Sequence, residues 1–115
     1  EYHTSGDNLG FIRPSQLATS FAACLAILEV LENDRTYLNQ NPKCEPHLGK
    51  RGLYHAIGGV APSPDTEMAM LWVLNLADGD HSLLDIADRA SLTFNSVLSA
   101  AARLLDSGLL KEAIC

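Results

Sequence analysis

The chain has no initiator Met, no excess of basic residues, no paired set of cysteines and no unbroken apolar run near the ~20 residues that span a bilayer. Each absence disfavours a class. A net charge of −6 argues against nucleic acid or an anionic membrane as the default partner. No basic stretch leads into an apolar one, as it would in a secretory signal. The three cysteines are Cys24 within an apolar run, Cys44 in a loop and Cys115 at the last position. They do not make a disulfide framework, which points to a reducing cytosol. A nucleophile elbow, a phosphate loop and a Gly-rich dinucleotide turn are all missing, as are internal repeats and low-complexity tracts.

What is present is a globular composition, 47% apolar and 19% charged over 115 residues, enough for one domain with a real core or a small domain with an arm. Three stretches differ in character. Residues 11–35 are predicted to form one long helix, with Pro14 in its first turn and Leu17, Phe21, Cys24, Leu25, Leu28 and Leu31 at helical spacing. Its middle, "FAACLAIL" from Phe21 to Leu28, is apolar around the whole circumference. Such a helix is normally buried on all sides, either at the centre of a small bundle or against something this chain does not contain. Residues 39–64, rich in Pro, Gly and Asn, are a connector carrying the local basic pair Lys50-Arg51.

Residues 65–115 are predicted as three helices and a strand. Ser63-Pro64 opens the first, Asp65 and Glu67 suit its first turn, and Met68, Leu71, Trp72 and Leu76 form its apolar set. Asp78 to Asp80 end it. Ser82 and Asp85 have capping-box spacing ahead of the stripe Leu83, Ile86, Ala87 and Ala90. Thr93 caps a third helix carrying Phe94, Val97, Leu98, Ala101, Leu104 and Leu105, and Gly108 stops it. "LLKEAI" then alternates weakly, as a strand would. Helix, short helix, turn, longer helix, Gly, strand is the order of a winged helix-turn-helix. The expected fold is therefore mainly α: a long N-terminal helix plus a winged helix-turn-helix whose wing lacks its second strand.

A helix that reads DNA needs side chains that reach base edges, with Lys or Arg nearby for phosphates. The outward face of the third helix offers Asn95, Ser96, Ser99, Ala100, Arg103 and Asp106. From residue 63 onward Arg89, Arg103 and Lys111 face eight carboxylates, a net charge of −5. Phosphate contacts supply most non-specific affinity, so a protein-contact role is expected. A DNA-binding regulator using Asn95, Ser96, Ser99 and Arg103 is the alternative.

Among the histidines, His81 precedes a helix and is expected to be solvated, and His55 beside Tyr54 has no evident partner. Cys44 and His47 have Cys-x-x-His spacing, but a structural zinc takes four ligands and no second pair exists. They are expected to be ordinary loop residues.

The opening "YHTSGDNLGFI", followed by a long apolar helix, resembles the last metal-ligand segment of the co-catalytic di-zinc aminopeptidases. With "NPKCEPHLGKRGLYHAIGG" and "LWVLNLADGDHSLLDIADRASL", the chain is similar over nearly its whole length to bacterial proteins that join an aminopeptidase-like catalytic domain to a C-terminal winged helix. Some of these are described as related to polysaccharide biosynthesis. The resemblance implies that residues 1–38 are the tail of a catalytic domain, 39–64 a connector and 65–115 the winged helix. It implies His3 as a zinc ligand in the intact parent, with Tyr2, Thr4 and Asp7 orienting its loop or contacting substrate. The other ligands and the general-base Glu would precede Glu1, and one His cannot hold a catalytic zinc. The chain alone is thus expected to hold no cofactor and cleave nothing. Its missing catalytic domain is the expected partner, and a homodimer through helix 11–35 is expected in that domain's absence.

Overall fold

The computed structural model describes residues 3–6, 8–54 and 64–113. Its elements are α1 (Pro14–Asn33), β1 (Thr36–Asn39), a 3-10 turn (Leu48–Arg51), α2 (Pro64–Leu76), β2 (Asp78–Ser82), α3 (Leu83–Ala90), α4 (Phe94–Asp106) and β3 (Leu110–Glu112). The chain forms two compact units, Glu1–Glu32 and Asn33–Cys115. The fold is mainly helical with a small antiparallel sheet, as expected.

In the second unit α2, α3 and α4 pack together, most extensively α2 on α4. Met70, Val73, Leu83, Ile86, Val97, Leu104 and Leu109 are fully enclosed between them. The α3 stripe falls where its spacing puts it, with Leu83, Ile86 and Ala87 buried. The α2 stripe does so only in part, with Trp72 and Leu76 half-buried against the core. Ala69, Met70, Val73 and Ala77 face the core, while Met68 and Leu71 are half exposed. This helix is apolar on two faces, so periodicity could select either. Ala69, Met70 and Val73 of α2 are buried in the same core as Ala100 and Ala101 of α4, the helix on which α2 packs.

The helix ends behave as their chemistry dictates. Ser82 and Asp85 make a full capping box, Asp85 N–H donating to Ser82 Oγ at 3.3 Å and Ser82 N–H to Asp85 Oδ2 at 3.0 Å. Thr93 Oγ1 accepts from Ser96 N–H at 3.2 Å. At the far end of α4, Gly108 takes φ 68, Leu109 N–H bonds back to the Leu104 carbonyl, and both leucines are buried. That is the Schellman closure with its apolar contact, and a Gly is the residue that enters the left-handed region there without a steric cost.

The sheet departs from expectation. Its order is β2-β1-β3, antiparallel throughout. Asp78–Ser82, expected only to end a helix, is a strand. The last strand pairs with β1, Tyr37 opposite Glu112 and Asn39 opposite Leu110, and needs no further wing strand to be paired. Central β1 (Thr36–Asn39) lies between the helix expected over 11–35 and the connector expected from 39, where no strand was expected. The helix ends at Asn33 because the next residues have other work. The Arg35 carbonyl accepts from Leu83 N–H at 3.0 Å and Asp34 Oδ1 from Leu84 N–H at 2.9 Å, satisfying first-turn donors of α3. Four residues, "TYLN", are too short to show a strand period against a strong helical one before them.

The connector is structured where described. Leu48 and Leu53 are core residues, and Arg51 donates to the Pro46 and Ser107 carbonyls at 3.2 and 3.3 Å, tying the loop to the end of α4. Asn39 Nδ2 donates to the Leu74 carbonyl at 2.8 Å and its Oδ1 accepts from Asn41 N–H at 2.8 Å. The possible short element in "GLYHAIGG", and His55 with it, extends outside the described residues.

Candidate docking surfaces

The helix that would enter a DNA groove is α4. Asn95 and Ser99 are exposed on it. Ser96 is half-buried and its hydroxyl lies 2.8 Å from Thr93 Oγ1, engaged in the N-cap. Ala100, expected to face outward, is fully buried against the core. Arg103 is half-buried, and its carbonyl accepts from the Ser107 hydroxyl at 2.8 Å. The side chains available to a groove are thus fewer than the helical wheel offered, because α4 buries a wider arc than its large apolar residues alone mark out.

The N-terminal loop is organised by Asn8. Its side chain donates to the Ser5 carbonyl at 3.1 Å and accepts from Gly10 N–H at 2.9 Å, while Thr4 Oγ1 accepts from Gly6 N–H at 3.2 Å. Asn8 was not among the residues singled out in the sequence, although an Asn two residues before a Gly is the signal for such a turn. His3 is exposed with φ 63. Tyr2 and Asp7 lie outside the described residues. Among the described residues no three His, Cys, Asp or Glu side chains come together as a metal site.

Two other loop histidines differ. His47, with φ 54, is exposed, its Nδ1 3.9 Å from Glu45. His81, expected to be solvated, is instead largely covered and pinned by Nδ1 2.9 Å from Asp78 Oδ2. The Asp78 carboxylate also accepts from the Asp80 and His81 amides. Those contacts, the Asp80 amide foremost and the imidazole next, hold its pKa down from 3.8 to about 2. The arrangement stiffens the α2–β2 turn.

Two apolar surfaces remain. Helix α1 buries no residue: Phe21 is 63% exposed, Leu25 49% and Leu31 67%. Among the described residues of its own unit, α1 is thus not the centre of a bundle. By length and composition α1 is also able to cross a membrane. An unbroken-run criterion misses this because Ser15, Gln16, Thr19, Ser20 and Glu29 interrupt the stretch without outweighing it. The second surface is on α2, where Met68, Leu71, Trp72 and Asn75 line an open groove of about 310 Å3.

Comparison with known proteins places both units. Residues 1–34 match a domain of unknown function (DUF4910). A Clostridium acetobutylicum protein, provisionally named a polysaccharide biosynthesis protein with aminopeptidase-like domain, is 51% identical over 96% of this chain and 25% of its own length. A crystal structure of a protein from the same organism, provisionally described as a peptidase, matches at 46% identity with TM-score 0.82 over 96% of this chain and 23% of its own. The chain spans about a quarter of the length of the relatives it matches. Residues 35–112 match the winged helix-turn-helix model, which begins at the residue before β1 and ends on the last residue of β3, and the chain belongs to that winged helix-turn-helix family.

Proposed function

We propose that this chain is the C-terminal part of a larger, cytosolic, zinc-dependent aminopeptidase-like hydrolase, with the winged helix as its docking or oligomerisation module. The observation that carries the reading is the 51% identity, across both units, to a protein about four times as long whose name includes an aminopeptidase-like domain. In the parent, α1 closes the catalytic domain. That accounts for a helix whose apolar residues are spread around it and whose carboxylates, Glu29 and Glu32, gather at one end. A partner protein surface suits this distribution, and a bilayer is not needed.

His3 is then one zinc ligand, with Tyr2, Thr4 and Asp7 shaping its loop, and the remaining ligands come from the rest of the parent. Zinc, when bound there, supplies an activated water for amide hydrolysis at a free amino terminus. The isolated chain covers α1 by pairing with a second copy. Burial of ~600 Å2 is worth roughly 15 kcal/mol at ~25 cal/mol per Å2, against association costs of several to more than ten kcal/mol. Nucleic acid is not a partner in this reading, given the acidic second unit and the engagement of Ser96 and Ala100.

The test compares this chain with the product of its complete gene. The full product is expected to bind zinc stoichiometrically and cleave aminoacyl anilides, with both lost in His3→Ala. This chain is expected to bind zinc no better than micromolar, cleave nothing, and sediment as a dimer that Leu25→Glu converts to monomer. Tight zinc binding by the chain alone, or a zinc-free and inactive full product, sinks the reading.

A further inference from the structure

We propose that the N-terminal half of α1 receives the C-terminal half of α1 from a second copy of this chain, in an antiparallel two-fold pair. This deepens the pairing proposed above for the chain on its own, and rests on it.

The seam lies in the sequence. Leu17, Phe21, Cys24, Leu28 and Leu31 recur at spacings of four, three, four and three, the repeat that lets one helix wind against another. All five are exposed. An antiparallel mate, its two-fold axis level with Ala22 and Ala23, sets Leu17 beside the partner's Leu28 and Phe21 over the partner's Cys24. At the middle of the seam a large side chain then meets a small one, as close packing requires.

The receiving end is an open depression of about 600 Å3, which Phe11, Ile12, Arg13 and Leu17 help to line. Arg13 is the only Lys or Arg in residues 1–32. It forms no ion pair among the described residues, and neither does Glu32 at the far end of the helix. The same axis brings the partner's Glu32 level with Arg13, once at each end of the pair. The cation that lines the depression thereby meets its counter-charge.

The helix dipole favours the same orientation. Helix α1 has no acidic residue in its first turn and no basic residue in its last. Arg13 instead stands before the positive end and Glu32 within the negative end, where each is disfavoured. In an antiparallel pair each charge lies beside the opposite pole of the neighbouring helix. A parallel pair would set Arg13 against Arg13 and Glu32 against Glu32. One surface carries both the receiving and the filling end, so it is self-complementary, as a two-fold interface must be. The seam is only about two heptads long, and the pair is expected to dissociate within a dilution series.

The experiment uses this chain with Cys24→Ala, Cys44→Ala and Cys115→Ala, so that one new thiol at a time reports its neighbour. Leu17→Cys and Leu28→Cys are oxidised separately and as an equal mixture. The mixture is expected to give a disulfide between residues 17 and 28, mapped by mass, and each variant alone severalfold less dimer. Strong crosslinking of each variant with itself shows a parallel pair and overturns the inference. In a second arm, sedimentation equilibrium follows Arg13→Glu, Glu32→Arg and the double variant in the otherwise unaltered chain. Each single change is expected to raise the dissociation constant severalfold, and the double variant to restore it. Both changes suit the helix dipole, so a weaker pair cannot come from a weaker helix. Single variants without effect, or a double variant that is not restored, overturn the inference while the pairing stands. A monomer at every concentration overturns the pairing and this inference together, and leaves the hydrolase reading to the zinc and activity assays of the complete gene product.

Discussion

Helices α1 and α4 are both mostly apolar, yet α4 buries Val97, Ala100, Ala101 and Leu104 while α1 buries nothing. The difference lies in arrangement. In α4 the apolar residues gather on one side, a cap begins the helix and a Gly closes it, so thirteen residues complete themselves against their own unit. In α1 the apolar residues encircle the helix, which has no acidic residue in its first turn and no basic residue in its last. Apolar content says that a helix will be covered. Segregation of that content says whether its own chain does the covering.

The largest effect expected from this contrast concerns truncation. A chain begun at Asn33 should unfold as cooperatively as the whole, because the second unit is compact without what precedes it. A chain begun at Gln40 should lose cooperative unfolding, since it lacks the central strand and the groups that satisfy the start of α3. Urea denaturation followed through Trp72, the one tryptophan in the sequence, checks both. Equal stability of the two truncations would break the comparison.

Point substitutions sharpen it. Leu104→Ala, at a fully buried site, should cost about 2–5 kcal/mol in the same assay. Leu25→Ala in α1 should change the unfolding of the second unit by less than about 0.5 kcal/mol. A comparable cost at both positions would mean that α1 belongs to the winged-helix core.

The smallest effect is in acid. The folded Asp78 carboxyl is depressed to about 2 from an ordinary 3.8. Its contribution is therefore present above about pH 4 and lost as pH falls through about 2. Asp78→Asn should flatten the stability profile across that window by slightly lowering stability at neutral pH while leaving it unchanged below about pH 2. The carboxylate is exposed, so the change should be slight. An unaltered acid limb would show that the Asp80 and His81 contacts do not persist in solution.

Much of the second unit was legible residue by residue. The capping box at Ser82, the Thr93 cap, the Gly108 stop and the α3 stripe are local devices, and each acts where its spacing puts it. The α2 face was not legible, because two apolar faces compete and only the shape of α4 selects between them. β1 was hidden for another reason: four residues carry too little pattern, and the strand exists only through partners about 40 and 75 positions away. At the proposed zinc segment, the His3 motif could be recognised by resemblance, whereas the Asn8 turn that shapes its loop went unnoticed.

The sequence by itself determined the helix order, their caps, the acidic balance and the winged helix-turn-helix they spell, since these depend on neighbours within a turn or two. Tertiary structure decided which face of α2 is core, that Ala100 is inside, that His81 is pinned to Asp78, and that the sheet is completed by β1. Those outcomes depend on which surfaces meet at close range, and hydrophobic periodicity marks a surface for burial without naming what will bury it.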